Sequence, residues 1–122
     1  MPDAPALLIL SSDLMSAVRI ADTSAALGYS ARTVEQAAEL EGARADIVVV
    51  DIANAPVDAG EAVARLREAN PAARFIAVYR HTEPEQARAA RAAGCDLVLN
   101  RAQFFTDIGA ALARVQAGAA PA

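Results

Sequence analysis

The stretch Ile47-Val48-Val49-Val50-Asp51 places four β-branched residues directly before a carboxylate. β-Branched side chains favour extended backbone. Because the apolar run is continuous rather than alternating, it is typical of a strand buried on both faces, as strands of parallel sheets are. Residues 52–58 have the composition of an irregular loop. Asp51 is therefore predicted to stand where a buried strand emerges from a sheet.

Four more apolar runs flank this strand and predict the rest of a sheet. Helical segments separate the runs, and each strand–helix unit takes about twenty residues, as in α/β folds. The further strands are predicted at Ala6–Leu10 and at residues 29–33, 75–79 and 97–99.

Periodicity and start and stop signals predict the helices. Gly28, Gly42 and Gly94 end three of them. Thr82-Glu83-Pro84-Glu85 has the pattern of a capping box with proline in the first turn. The predicted helices cover residues 13–27, a short segment up to about 41, residues 60–69, the segment opened by Thr82 and closed at Gly94, and a last helix with Phe105, Ile108, Leu112 and Val115 on one face.

This alternation predicts an α/β fold, a doubly wound five-stranded parallel sheet with helices on both faces. Right-handed crossovers leave few topologies, and we expect the commonest order, 2-1-3-4-5. The chain of 122 residues has the length of one domain. That domain is predicted over residues 1–116, with residues 117–122 as a disordered tail or linker stub.

Composition and charge argue against several classes of function. The net charge is −4, and all eleven positive residues are arginines scattered along the chain, so no basic stripe for nucleic acid is expected. No apolar stretch approaches the roughly 20 residues that span a bilayer, and the acidic N-terminus predicts no secretory signal. The single cysteine, Cys95, is predicted to be a small buried residue in a cytoplasmic protein without disulfides.

Polar residues follow the predicted strands at the edge where open parallel sheets bind ligands. A simpler interpretation is that the chain must return to water there, and Ser-Ser-Asp is in any case a good helix N-cap. The lone His81 likewise requires no ligand, whereas Asp51 suits a site better than a cap. The residues at this edge are Ser11, Ser12 and Asp13, then Asp51, then Tyr79, Arg80 and His81, and finally Asn100 and Arg101.

The order of elements, the approach to the carboxylate over residues 45–51, and Ala93-Gly94-Cys95-Asp96 before the fifth strand together resemble the receiver domains of response regulators. The resemblance covers residues 6–115. It implies the flavodoxin-like receiver fold, with Asp51 in the position of the phosphoacceptor aspartate.

The resemblance also implies a degenerate phosphorylation pocket, since most other positions of that pocket are replaced. Asp13 is an acid one step beyond the usual acidic pair. The replacements are Ser11 and Ser12 for the acidic pair that holds magnesium, Tyr79 and Arg80 for the hydroxyl and small residues that end the fourth strand, Arg101 for the lysine after the fifth strand, Ala102 for the proline behind it, and Val98 for the relay aromatic.

Neutral serines cannot replace carboxylates as ligands of a hard cation, so we expect no cofactor and at most weak magnesium binding. An arginine could instead fork onto the carboxylate of Asp51. Our hypothesis is that Arg101 or Arg80 takes the place of the metal and the phosphoryl group and locks the domain in one state.

These replacements predict a pseudo-receiver of a two-component phosphorelay, neither an enzyme nor a metal protein, that acts through contacts with a histidine kinase, an output domain or another signalling protein. The alanine-rich helix before Gly94 either offers a flat contact surface or packs on the sheet, and a weak homodimer through the last helices is expected. The alternative is an ordinary receiver phosphorylated on Asp51 by a histidine kinase. A third alternative, a small enzyme or nucleotide binder, lacks the glycine motifs and the nucleophile elbow of those classes.

Overall fold

The structure, a computed structural model, describes residues 4–118 of the chain. Five strands alternate with helices along these residues. The strands are β1 (Ala6–Leu10), β2 (Ser30–Val34), β3 (Ile47–Asp51), β4 (Arg74–Tyr79) and β5 (Leu97–Asn100). The helices are α1 (Leu14–Ala26), α2 (Ala59–Ala69), α3 (Pro84–Ala92), α4 (Arg101–Thr106) and α5 (Ile108–Gln116), with short 3₁₀ helices at Ala37–Leu40 and Ile52–Asn54.

The five strands form one parallel sheet in the order β2-β1-β3-β4-β5, which confirms the predicted topology. Strand β1 pairs with β2 on one side and with β3 on the other, so the winding reverses between β1 and β3. Asp51, the last residue of β3, lies opposite Val78 of β4. Because parallel strands end at the same edge of the sheet, Asp51 stands at the edge where this fold binds ligands.

Helices cover both faces of the three central strands β1, β3 and β4, whose alternate residues point to opposite sides and are almost all buried. In β3, Val48 and Val50 pack in one core cluster with α2 and α3, and Ile47 and Val49 pack in a second with α1, α4 and α5. The prediction of helices on both faces is confirmed. The continuous apolar run of β3 is explained by this burial, since neither face of the strand meets water.

Two predicted helices differ in the structure from what the sequence indicates. The short helix predicted up to about residue 41 is the four-residue 3₁₀ helix Ala37–Leu40. Helix α3 is capped at Glu83 rather than at Thr82, and neither residue supplies a side-chain cap. Its start is set by Pro84, whose fixed φ suits the first helical position.

The predicted last helix is two helices, because Asp107 interrupts it. The Asp107 side chain accepts a hydrogen bond from the backbone N–H of Ala110 and so caps a new helix, α5. Phe104, rather than Phe105, is the fully buried aromatic residue of α4. The predicted apolar face is therefore confirmed for the α5 residues, whereas Phe105 is only partly buried.

Gly94 ends α3 with a φ of +99°, a left-handed conformation that favours glycine, as its predicted role as a helix stop requires. The next residue, Cys95, is half-buried against the core cluster below α2, and not fully buried as predicted. Burial, together with the neighbouring Asp96 carboxylate, raises the pKa of the Cys95 thiol to about 11. The thiol is thus protonated at neutral pH.

The predicted tail over residues 117–122 falls partly outside the described residues. Ala117 and Gly118 donate backbone hydrogen bonds to the carbonyls of Ala113 and Val115, and residues 119–122 lie beyond the described range. Residues 1–3, to which the expectation about a secretory signal refers, lie outside it as well. Within residues 4–118 no helix is long and apolar enough to cross a membrane.

Candidate functional site

The centre of the site is the carboxylate of Asp51, which is only 1 % exposed. It stands at the carboxyl end of β3, between the ends of β1 and β4. Ionised groups are almost never buried without a partner, because the low-dielectric interior cannot replace the hydration that they lose. The neighbours of Asp51 therefore decide its chemistry.

Three side chains donate hydrogen bonds to Asp51. The Ser11 hydroxyl donates to Oδ2 at 2.9 Å, and the Asn54 amide nitrogen donates to the same oxygen at 3.0 Å. The Arg101 Nη1 donates to Oδ1 at 2.9 Å and forms an ion pair with the carboxylate. Both carboxylate oxygens are thus occupied by the protein itself.

Arg101 reaches Asp51 from the first turn of α4. The Asn100 side-chain oxygen caps this helix by accepting from the Gln103 backbone N–H, and the Gln103 side-chain oxygen accepts from the Asn100 backbone N–H. This reciprocal capping box fixes where α4 begins and hence where the arginine side chain starts. Its guanidinium carbon lies 5.0 Å from the centre of the Phe105 ring, a cation–π contact that holds the group over the sheet edge.

The second nitrogen of the guanidinium joins Arg101 to α1. Nη2 donates to the Ser16 hydroxyl at 2.7 Å and lies 4.0 Å from Asp13 Oδ2. Ser16 in turn donates to Asp13, which precedes α1. That hydrogen bond, followed by the one from the Ser16 backbone N–H and by the positive charge of Arg101, holds the pKa of the Asp13 carboxyl below its ordinary value. Arg101 therefore connects two carboxylates that belong to different elements.

The predicted site residues separate into those that meet Asp51 and those that do not. Ser11 contacts Asp51, while the Ser12 side chain is exposed and only its backbone N–H is engaged, donating to the Asn54 carbonyl at 2.9 Å. Arg80 is exposed and forms no hydrogen bond or ion pair with Asp51 within the described chain. Of the two arginines that were considered, Arg101 alone reaches the carboxylate.

Three other predicted positions lie around this arrangement without a hydrogen bond to Asp51. Tyr79 ends β4 and is half-buried, and His81 is exposed in the turn that follows. Val98 is half-buried on the α2 side of the sheet, in the position predicted for the relay aromatic.

Sequence reasoning missed two residues of the site, Ser16 and Asn54. Ser16 lies three residues after Asp13, a spacing that places the two on one face of a helix, and this was the available signal. Asn54 lies three residues after Asp51 in a short 3₁₀ helix, where an asparagine can return to a preceding carboxylate. The prediction considered the residues that follow each strand directly, so it missed side chains in the first helical turns beyond them.

The donor set does not fit a magnesium ion. Hard divalent cations are bound by several free carboxylate or carbonyl oxygens. Here both oxygens of Asp51 accept hydrogen bonds, Asp13 is engaged by Ser16 and Arg101, and the Asn54 carbonyl accepts from Ser12. A guanidinium also places a positive charge beside both carboxylates. Within residues 4–118 there is no cluster of three or more histidine, cysteine or acidic side chains that could hold a metal.

Solved structures similar to this chain include response regulators and receiver domains. The chemotaxis response regulator CheY4 of Vibrio cholerae matches with a TM-score of 0.68 at 18% identity, over 80% of this chain and 87% of that chain. The non-phosphorylated receiver domain of HemR from Leptospira biflexa matches with a TM-score of 0.75 at 13% identity, over 91% and 93%. The chain has the receiver fold.

A third receiver-fold structure is a response regulator protein from Burkholderia pseudomallei with a phosphorylated aspartic acid, a calcium ion and citrate. It matches with a TM-score of 0.70 at 18% identity, over 93% of this chain and 72% of that chain. No protein-family model and no curated protein matches the sequence. At identities this low the likeness establishes the receiver fold, and the function must be argued from the site itself.

Proposed function

We propose that this receiver-fold chain is a signalling domain of the two-component type that acts through protein–protein contacts, without magnesium-dependent phosphorylation of Asp51. The observation that carries the proposal is the 2.9 Å ion pair between Arg101 Nη1 and Asp51 Oδ1. In this proposal the arginine supplies permanently the positive charge that a metal and a phosphoryl-binding lysine supply in an ordinary receiver.

The ion pair opposes phosphorylation for two physical reasons. A phosphoryl donor must approach a carboxylate oxygen, and both Asp51 oxygens are already hydrogen-bonded. Phosphoryl transfer also relies on metal ions to neutralise developing charge. Two unit charges 4 Å apart attract by about 4 kcal/mol at an effective dielectric constant of about 20. A magnesium ion would have to displace the guanidinium against an attraction of this order.

The same contacts support a domain held in one conformation. Arg101 joins α4 to β3 through Asp51 and to α1 through Ser16, so three elements meet at one side chain. Phosphorylation switches a domain by moving such elements between two arrangements. A side chain that ties them together favours one arrangement in the absence of any signal.

The partner in this proposal is a protein: a histidine kinase, an output domain or another signalling protein in the cytoplasm. Helix α3 supports a contact role, because it buries Ala87 and Ala90 against the sheet and leaves Ala89 and Ala92 exposed. Small exposed side chains allow a partner to approach the backbone closely. Neither nucleic acid nor a catalytic reaction is part of the proposed function, and the face formed by α3, β5 and α5 is proposed to permit a weak homodimer.

The test is an amide NMR titration of the full chain with magnesium, followed by magnesium plus beryllofluoride as a stand-in for the phosphoryl group. The proposed function predicts that the Asp51, Tyr79 and Arg101 signals stay in place at millimolar metal. Saturable shifts and a second set of signals would instead identify a working phosphoacceptor.

The second candidate function is an ordinary receiver phosphorylated on Asp51 by a histidine kinase. It is favoured by the position of Asp51, which is the last residue of β3 at the switch point of the sheet. Incubation with acetyl phosphate and magnesium, followed by intact-mass measurement, separates the two candidates. The mass gain of one phosphoryl group, lost in Asp51→Asn, would establish this alternative.

A further inference from the structure

We propose that a pocket between α1 and α4 binds a small organic anion, a carboxylate attached to a flat apolar body. The pocket has a volume of about 220 Å³ and is lined by Met15, Ser16, Arg19, Arg101 and Phe105. Arg101 lines this pocket, and Asp51 does not. This pocket therefore differs from the Asp51 site described above and shares Ser16 and Arg101 with it.

Arg19 is the first reason to expect an anion. Its guanidinium carbon lies 5.0 Å from the centre of the Phe105 ring, and its Nη2 donates to the Phe105 carbonyl at 2.8 Å. Within residues 4–118 no carboxylate lies within ion-pair distance of it. A guanidinium has five N–H donors, so four of those on Arg19 are not used by the described protein. Because Arg19 lines the pocket, these N–H donors are available to a ligand there.

Arg101 supplies the second guanidinium. It uses two donors, on Asp51 and Ser16, and its side chain is 33% exposed. Its remaining N–H groups have no acceptor within the described chain. Both guanidinium carbons lie 5.0 Å from the centre of the Phe105 ring, and both arginines line the pocket, so a ligand in it can meet the two groups. Planar guanidinium groups bind carboxylates with paired hydrogen bonds.

The lining explains why the ligand is an organic anion and not a cation or an inorganic ion. Two guanidinium groups contribute donors, and none of the lining residues is acidic. Asp13 and Asp51 do not line the pocket; Arg101 forms ion pairs with both carboxylates, and Ser16 donates to Asp13. The Met15 side chain, 78% exposed, and the Phe105 ring add apolar surface. The volume is below the roughly 300–1,000 Å³ of pockets for drug-sized ligands, so it suits a small ligand of one ring and a carboxylate.

Ligand binding should be felt at Asp51, because the pocket and Asp51 share Arg101. A carboxylate in the pocket competes for the guanidinium and weakens its contact with Asp51. This coupling rests on the proposed function, in which the ion pair holds the domain in one state. The binding of the anion itself does not depend on that function.

The experiment is an NMR titration of the full chain with sodium benzoate, at ionic strength held constant with sodium chloride. Saturable shifts are expected at Met15, Ser16, Arg19 and Phe105, at millimolar benzoate. Benzyl alcohol, which lacks the charge, and inorganic phosphate, which lacks the apolar body, should each bind at least tenfold more weakly. Equal binding of either probe would overturn the proposed ligand class.

Variants separate the pocket from general charge effects. Arg19→Met retains the apolar stem and should weaken benzoate binding at least tenfold. Arg88→Gln removes a charge from the exposed face of α3 and should leave binding unchanged. If neither variant changes the affinity, or if no shift saturates, the pocket proposal is wrong. If benzoate saturates the pocket without moving the Asp51 carboxyl signal, the site stands and the coupling to Asp51 is overturned.

Discussion

Arg101 and Asp51 are 50 positions apart in the sequence, and their side chains meet at 2.9 Å across the carboxyl edge of the sheet. The contact joins the first residue of α4 to the last residue of β3. Asp51 is buried, while the Arg101 side chain keeps one-third of its surface exposed. Water therefore reaches the arginine of the pair and not the aspartate. Its removal therefore has consequences for stability as well as for ion binding.

Replacing the arginine should destabilise the fold. Arg101→Met leaves a buried carboxylate with only the Ser11 and Asn54 hydrogen bonds. Breaking a fully buried pair costs about 3–5 kcal/mol, and solvent screening at the exposed end reduces the expected loss to about 2 kcal/mol. Urea unfolding at pH 7 measures it. Arg101→Lys keeps the charge and should lose less, and equal losses in the two variants would contradict an electrostatic role.

Restoring ordinary ligands should restore magnesium binding. In Ser12→Asp combined with Arg101→Lys, a carboxylate is added directly after Ser11 at the sheet edge, and the guanidinium fork is gone. Carboxylates are the ligands that magnesium prefers, so the affinity should rise at least tenfold over the natural sequence. Calorimetric titration measures it, with Ser12→Asn plus Arg101→Lys as the neutral control. Similar affinities in the two double variants would show that charge at position 12 is irrelevant.

The lowered pKa of Asp13 predicts a defined pH dependence. A carboxyl whose pKa is lower in the folded state than its ordinary value of 3.8 contributes stability above that value. The contribution is lost as the pH falls below 3.8 through the folded pKa. In Ser16→Ala the Asp13 pKa should rise toward 3.8, and carbon-detected NMR titration of the carboxyl follows it.

The control for the Asp13 titration is Ser24→Ala. Ser24 is a buried serine of the same helix, and its hydroxyl donates to the Ala21 carbonyl instead of to a carboxylate. The Asp13 pKa should be unchanged in this variant. A shift as large as that in Ser16→Ala would mean that the helix as a whole, and not the Ser16 hydroxyl, sets the pKa.

Cys95 should be inert in the folded protein. Its thiol has a pKa of about 11, because burial and the Asp96 carboxylate disfavour the thiolate. The thiolate is the reactive form, so disulfide exchange with a chromogenic reagent at pH 8 should be slow. In guanidinium chloride the same reagent should react fully with the unfolded chain. Fast reaction under native conditions would show that the Cys95 environment is open.

The site shows where sequence-based prediction reaches its limit. Asp51 was identified because a carboxylate directly after a buried strand leaves a local signal. Ser16 and Asn54 were missed because their contacts with Arg101 and Asp51 depend on how helices and loops fold back over the sheet edge. The break at Asp107 was missed for a related reason, since an acidic residue within a periodic apolar segment is compatible with one helix or two.

The sequence predicts three features of the fold: the strand pattern, the helix stops at glycine and the sheet order. These features depend on local backbone preference and on the burial of β3 from both faces. The choice between Arg80 and Arg101 does not. Both follow strands and both carry the same charge, and only the packing of α4 directs one guanidinium to Asp51 and leaves the other exposed. An ion pair requires its two charged groups to lie within a few ångströms of each other, and Arg101 and Asp51 come that close only in the folded chain.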